Sequence, residues 1–338
     1  MKYSKQNSPA SLLRDANLGN LRFITQSAFA LFCLYSGYRF YQFYLWGMGQ
    51  SEIYVPRPPM VEAFLPIGAL INLKRLILTG NYDLVHPAGL TVFIAALTIG
   101  LLFRKGFCGW ICPVGFASNL AERFSLKFRI LRRLPLWLDY PMLAPKYMLF
   151  LFFAVFIFLK MEVPSIEAFN NSDFNVVADA KMLRFFLKPS TLTIYVLTFL
   201  VAISFVLRNF WCRYLCPYGA LLGLLAIFSP VKIRRDPESC INCRKCEKVC
   251  PGSILVAEGR TVYNLECIGC LECVAACPVE DCLTVTARKR KIPAYWLPVG
   301  IAGLFLLFWA GALLTGHWQS ALPADFFQEY YQAILTKE

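Results

Sequence analysis

Histidine is nearly missing from this chain, with only His86 and His317 among 338 residues. No Cys-x-x-Cys-His run occurs, which excludes covalently attached c-type haem. A haem held between the two histidines is disfavoured, because the stretch matching the surroundings of His86 carries Lys188 in its place. The chain also has no Walker-type phosphate loop, no dinucleotide fingerprint and no nucleophile elbow. Nucleotide-driven and hydrolytic chemistry are therefore set aside. Charge is scarce, at 16 % of residues, and acid is scarcer than base, with 21 Asp and Glu against 34 Lys and Arg. No small-residue cleavage site follows the first apolar stretch, so that stretch reads as a retained anchor.

Cysteine is abundant, with fourteen residues. Eight of them form Cys240-x-x-Cys243-x-x-Cys246-x-x-x-Cys250-Pro251 and Cys267-x-x-Cys270-x-x-Cys273-x-x-x-Cys277-Pro278. Thiolates are soft ligands, and close Cys-x-x-Cys-x-x-Cys turns let three of them hold three corners of one iron–sulfur cube. The fourth cysteine, before proline, reaches the other cube. The spacing predicts one 4Fe–4S cluster on Cys240, Cys243, Cys246 and Cys277, and a second on Cys267, Cys270, Cys273 and Cys250. Zinc ribbons use two Cys-x-x-Cys pairs instead, and disulfides would consume the thiolates. Thiolates kept reduced argue for the cytoplasmic side of a membrane. Cys282 and Cys33 are read as small buried fillers.

The chain is 57 % hydrophobic overall, outside the soluble norm. The apolar runs predict an α-helical polytopic membrane protein of about five transmembrane helices, near 21–46, 87–103, 143–160, 191–208 and 293–314. The expected plan is a cytoplasmic tail (1–20), a first membrane repeat (21–140) and a second (141–231). A cytoplasmic α+β double-cluster ferredoxin module (232–287), a fifth span (288–318) and a periplasmic tail (319–338) follow. Residues 64–78, interrupted by Asn72, Lys74 and Arg75, read as an interfacial or re-entrant helix. Residues 118–140 read as a basic amphipathic segment on the inner leaflet, and 218–229 as a short interfacial piece. With the N-terminus inside, 25 of the 34 basic residues fall on the cytoplasmic side. The net charge of +13 is then the positive-inside bias, and no nucleic-acid partner is needed.

Spans two and four end alike, in Cys108-Gly109-Trp110-Ile111-Cys112-Pro113 and Cys212-Arg213-Tyr214-Leu215-Cys216-Pro217. Upstream, Val61-Glu62-Ala63-Phe64 matches Ile166-Glu167-Ala168-Phe169. Two copies in one membrane orientation imply a pseudo-twofold axis along the membrane normal. Such an axis brings Cys108, Cys112, Cys212 and Cys216 together under the inner leaflet. Four thiolates around one point suit a third 4Fe–4S cluster or a tetrahedral zinc. Thiol redox chemistry and plain packing are the alternatives.

The paired Cys-x-x-x-Cys-Pro motifs, the Glu-Ala-Phe outer loops and the double-cluster module resemble the NapH/NosR/CcoG-type membrane polyferredoxins over roughly residues 20–290. The resemblance implies electron transfer linked to quinol, as a subunit of an oxidoreductase complex with a partner redox protein. An accessory role in metalloenzyme (copper) assembly and a redox-sensing membrane regulator are the other readings. The chain departs from the family in three ways. It has no room for the flavin domain of NosR-like proteins, it lacks the C-terminal domain of CcoG-like ones, and it adds a fifth span. In a quinol-linked reading Glu62 and Glu167, in matching outer loops, are the expected proton acceptors, and Arg39 and Arg57 either hold their region together electrostatically or only snorkel. The expected location is the bacterial inner membrane.

Overall fold

The structure, a computed structural model, describes residues 9–336. Residues 1–8 of the expected tail lie outside the described residues. The chain forms two compact units: Met1–Ala30, Leu97–Lys146 and Ala202–Leu304 make the first, and Leu31–Ala96, Tyr147–Val201 and Phe305–Glu338 make the second.

Among the described residues, Leu136–Lys160 and Trp296–Leu314 are helices long and apolar enough to cross a membrane. Ala178–Leu187 and Thr191–Val206, bent by 79° at their break, make a third if counted as one span. The bend has a local cause. Pro189 lacks an N–H and bars the helical conformation from the residue before it. Ser190 Oγ then accepts from Thr193 N at 3.2 Å and caps the new helix. Pro87–Phe103 is apolar but spans 17 residues. The first expected span lies within one 39-residue helix, Pro9–Gly47, which also takes in residues 9–20 of the expected tail. Large apolar side chains stand bare on the span helices, Leu159 75 % and Leu314 89 % exposed, as a lipid-facing surface requires.

In the first unit, three short strands form an antiparallel sheet in the order β1 (Val231–Arg235), β2 (Leu283–Ala287), β3 (Arg290–Ile292). Val231 pairs with Ala287 and Val285 with Ile292. Beneath it, Ile233, Ile254, Val256, Val262 and Leu283 pack with Cys250, Cys267 and Cys273 in a small core. The basic segment expected over 118–140 is helical only from Pro113 to Lys127. After Pro135 the chain enters the span helix at Leu136, seven residues before the predicted start. Asp139, in the first turn of that helix, is buried on Arg213. Over the expected interfacial piece 218–229, one face is buried while Ile227 and Phe228 stand exposed. The helix Pro217–Leu225 buries Ala220 and Leu222 completely, with Leu222 closing on Gly100.

In the second unit, Phe40, Phe43 and Tyr44 of the long helix pack on Val176, Val177 and Ala180 and on Phe327, Tyr331 and Leu335. The last three stand at i, i+4 and i+8 of the helix Ala324–Leu335, which puts them on one face. A smaller core joins Ile71, Ile157 and Ile166. The helix Pro66–Thr79 carries the polar interruptions seen in sequence, and each is partnered. Asn72 and Asn170 exchange amide hydrogen bonds at 2.8 and 3.2 Å. Lys74 donates to the carbonyls of Ile157 (2.9 Å), Phe158 (3.1 Å) and Met161. Those carbonyls lie at the π-helical turn Phe156–Lys160, which ends the span helix and leaves acceptors to satisfy. Arg75 holds Glu167 through two bonds, at 2.7 and 3.1 Å.

Candidate iron–sulfur sites

The two cysteine triplets fold as the same loop. Asn242 and Gly269, two residues into each triplet, are left-handed (φ 53° and 62°), and so are Arg244 and Leu271 two residues later (φ 52° and 65°). These bends turn successive thiols inward, and a short helix closes each loop, Lys245–Val249 and Glu272–Ala275. Cys240, Cys243, Cys246 and Cys277 line one recess of about 350 Å³. Cys250, Cys267, Cys270 and Cys273 line another of about 320 Å³. The partition is the crossed one, with each trailing cysteine lodged in the other triplet's recess.

Among the described residues no three His, Cys, Asp or Glu side chains converge on a point where one metal ion would sit. Four thiols spread around an open recess fit a polynuclear cube, whose corners hold ligands farther apart than one ion can. Burial pushes the Cys250 thiol up to about 11, and raises those of Cys270 and Cys273 as well. The polypeptide alone therefore favours neutral thiols there, and a cationic metal centre is what deprotonates them. Cys282, itself buried, also lines the first recess, its Sγ 3.7 Å from Asp236 O.

The Cys-x-x-x-Cys-Pro pairs are built alike as well. Cys112 and Cys216 each precede a proline that starts a helix, Pro113–Lys127 and Pro217–Leu225. Gly219 N donates to Cys216 Sγ at 3.3 Å. The glycine three residues after each of these cysteines has a steric reason. A Cβ on Gly115 would overlap Cys108 O, and one on Gly219 would lie 3.3 Å from Cys212 O. Both helix N-termini thus press onto their cysteine turns, presenting N–H groups and positive dipole ends to sulfur. Cys108 and Cys212 line one recess of about 420 Å³ together with Arg22, Lys105, Asn209 and Arg213. Cys112 and Cys216 lie within electrostatic reach of Cys108. The structure therefore brings together all four thiols singled out in sequence. Burial raises the thiols of Cys108 and Cys212, the latter to about 12, while Lys105 opposes the shift.

Both membrane turns rest on the loops of the second recess. Trp110 Nε1 donates to Gly269 O at 3.0 Å, and Gly109 lies so close to Ile268 O that a Cβ there would overlap it. Arg208 donates to Lys248 O and Cys250 O at 3.0 and 2.9 Å, and Asn209 to Pro251 O at 3.3 Å. Arg213 donates to Gly252 O and holds Asp139 through two bonds. Glu266, next to Cys267, takes Lys146 at 2.5 Å and Lys105 at 3.4 Å. Cys250, Cys267 and Cys273 are buried, whereas Cys243 of the other recess is exposed.

Glu62 and Glu167 lie in the second unit. Glu62 has no accessible surface. Arg57 holds it at 2.6 Å, and Gly89 N donates to it at 3.2 Å. Arg57 also takes Asp179 at 2.7 Å, and Tyr331 donates to Asp179 at 2.9 Å. Glu167 is 36 % exposed beside Arg75. Both ring nitrogens of His86 are engaged, Nε2 donating to Asn175 O at 2.7 Å and Nδ1 accepting from Arg57 at 3.1 Å. His317 stacks on Tyr82, with ring centroids 4.3 Å apart. Sequence reasoning missed Lys105, Glu266, Asp139 and Asp179. The one signal available was an ionisable residue inside or beside an apolar run.

The description "4Fe-4S binding domain" matches residues 85–131 and again 190–236, and "4Fe-4S dicluster domain" matches residues 232–278. The chain is 40 % identical over 286 residues to YccM of Escherichia coli (strain K12), whose name assigns it provisionally to electron transport. The match covers 82 % of this chain and 80 % of that protein. The chain belongs to the membrane-type 4Fe–4S ferredoxin family. Another relative is the ferredoxin-type protein NapH of Haemophilus influenzae, 28 % identical over 56 % of this chain and 67 % of its own length. The regulatory protein NosR of Pseudomonas aeruginosa is 30 % identical over 56 % of this chain. Only 26 % of NosR is spanned, so its remaining segments have no counterpart in this alignment. No solved structure matches the chain at a significant level. As a membrane-type ferredoxin, the chain is an iron–sulfur electron-transport protein of a membrane.

Proposed function

We propose that this chain is an electron-transfer subunit, and not a stand-alone enzyme, that exchanges electrons between the quinone pool and a partner redox protein through three 4Fe–4S clusters. The observation that carries the reading is the gathering of eight module cysteines into two recesses and of Cys108 and Cys212, with Cys112 and Cys216 in electrostatic reach, at a third that rests on the loops of the second. Cys240, Cys243, Cys246 and Cys277 hold one cluster, Cys250, Cys267, Cys270 and Cys273 another, and Cys108, Cys112, Cys212 and Cys216 a third. A 4Fe–4S cluster supplies one-electron storage at a potential set by charge, hydrogen bonds to sulfur and solvent exposure. The residues supply the rest. Trp110, Asn209, Arg208 and Arg213 fix the membrane turns against the buried second set. The exposed Cys243 makes the first set the outermost, facing the partner.

Five spans, an internal repeat, an inner-membrane location with the ferredoxin module inside and a periplasmic C-terminus belong to the same proposal. One domain description matching at two positions supports the repeat. Of the two expected quinol proton acceptors, the exposed Glu167 fits better, since Arg57 and Gly89 N close Glu62 off.

Iron and acid-labile sulfide in anaerobically purified protein test the cluster count. About twelve irons per chain are expected, four per cluster, falling to about eight in Cys108→Ser/Cys212→Ser. Eight irons in both proteins would remove the third centre. In proteoliposomes, quinol should bleach the iron–sulfur absorption. Copper or thiol reduction without that bleaching would instead favour the accessory role in metalloenzyme assembly.

A further inference from the structure

The run Arg288-Lys289-Arg290-Lys291 has no part in the electron-transfer reading, and the fold gives it an unusual setting. Ala287 pairs with Arg290, so Arg288 and Lys289 form a two-residue hairpin loop between β2 and β3. Both have positive φ, 47° and 73°. Such loops normally carry Asn-Gly, because side chains with a Cβ resist that conformation. Two long cations occupy the strained positions instead, and all four basic residues of the run are exposed. Lys291 meets Asp281 at 2.6 Å, which leaves the turn with a clear positive excess.

Directly beneath the turn lies an apolar recess of about 660 Å³. Ala287 and Ile292 of the hairpin, Val231 of β1, Phe103, Trp296 and Leu297 line it, with Gly300 and Pro293. Trp296 opens the apolar helix Trp296–Leu314, and Tyr295 stacks on it with centroids 5.9 Å apart. Paired aromatics at a span end mark the headgroup level of a bilayer. The recess thus has hydrocarbon walls, lies at the aromatic end of an apolar helix and adjoins the cationic turn through Ala287, the strand partner of Arg290.

We infer that this recess binds one anionic phospholipid, with an acyl chain between Phe103, Trp296 and Ile292 and the phosphate against Arg288, Lys289 and Arg290. A quinone fits the walls less well, because the Trp296 indole N–H is the single polar side-chain group among the lining residues, against two quinone carbonyls. Occupancy also bears on the iron–sulfur module, since Leu297 and the Phe103 carbonyl close on Gly269, in the Cys267–Cys270 loop.

Native mass spectrometry of the full chain, released from nanodiscs of phosphatidylglycerol or phosphatidylcholine with identical chains, tests this. One phosphatidylglycerol should be retained with at least a tenfold preference over phosphatidylcholine. Arg288→Gln/Lys289→Gln/Arg290→Gln should lose the preference while its iron–sulfur absorption is unchanged, and the Arg288→Lys/Arg290→Lys variant should keep it. Ala287→Phe, which fills the recess, should lower retention of both lipids. Equal retention of the two lipids by the native chain, a preference that survives the three glutamines, or displacement of the lipid by an equal amount of ubiquinone would each overturn the inference.

Discussion

Replacing Lys105 by glutamine tests the electrostatics of the membrane cysteine recess directly. The side chain is 2 % exposed, its ammonium lies over Gly219, and its charge acts on Cys108, Cys212 and Cys216. Glu266 is its carboxylate partner at 3.4 Å, but Lys146 holds the same carboxylate at 2.5 Å. Removing Lys105 therefore leaves Glu266 paired, and the variant should fold. A buried cation stabilises the more negative, reduced form of a nearby cluster, so its loss lowers the reduction potential. At an effective dielectric of about 20, a unit charge is worth about 4 kcal/mol at about 4 Å and about 2 kcal/mol at twice that distance. The lower figure corresponds to a drop of about 90 mV in a one-electron couple. Redox titration followed by electron paramagnetic resonance should show one of the three signals shifted down and the other two nearly unchanged. A titration identical to that of the native protein, at full iron content, would refute the reasoning.

Three further substitutions probe the fold. Arg57→Gln leaves the buried Glu62 and Asp179 without their guanidinium and should cost about 3–5 kcal/mol, read as a lower melting temperature in detergent. Restoring stability with Glu62→Gln/Asp179→Asn in the same chain is the check that charge is the cause. Lys74→Met removes the donor to three carbonyls and should cost about 1.5–3 kcal/mol, with faster amide exchange over Phe156–Lys160. Lys289→Gly relieves a left-handed side chain and should stabilise the chain by about 0.5–1 kcal/mol in the same melting assay.

The cysteine sets were legible because their chemistry is local: a Cys-x-x-Cys-x-x-Cys loop turns three thiols to one side whatever the rest of the chain does. The partners of buried charges were not. Arg57 and Asp179 are 122 positions apart, Lys105 and Glu266 161, and Arg75 and Glu167 92, and no periodicity links such residues. Asn72, Lys74 and Arg75 looked like defects in an apolar run for the same reason.

The basic surplus carries the last consequence. In sequence it reads as positive-inside charge, which any lysine or arginine satisfies equally. In the first unit, however, Arg104, Arg133, Arg208 and Arg213 all donate to backbone carbonyls of the ferredoxin module. Arg208 bonds the carbonyls of Lys248 and Cys250 while facing Glu122 at 2.9 Å, with its side chain 5 % exposed. That work needs a planar fork with several fixed donors, and an ammonium on a flexible stem cannot reproduce it. Arg208→Lys keeps the charge and the topology signal but loses about 1.5–3 kcal/mol of charged hydrogen bonding at the Cys250 loop. Opening of that loop should rise roughly ten- to hundredfold, measured as amide exchange over residues 248–252. Arg132→Lys, at an exposed site, should leave the same amides unchanged. Equal exchange in the Arg208 variant and the native chain would mean that the arginines serve orientation alone, and that the membrane turns stay docked on the cysteine loops without them.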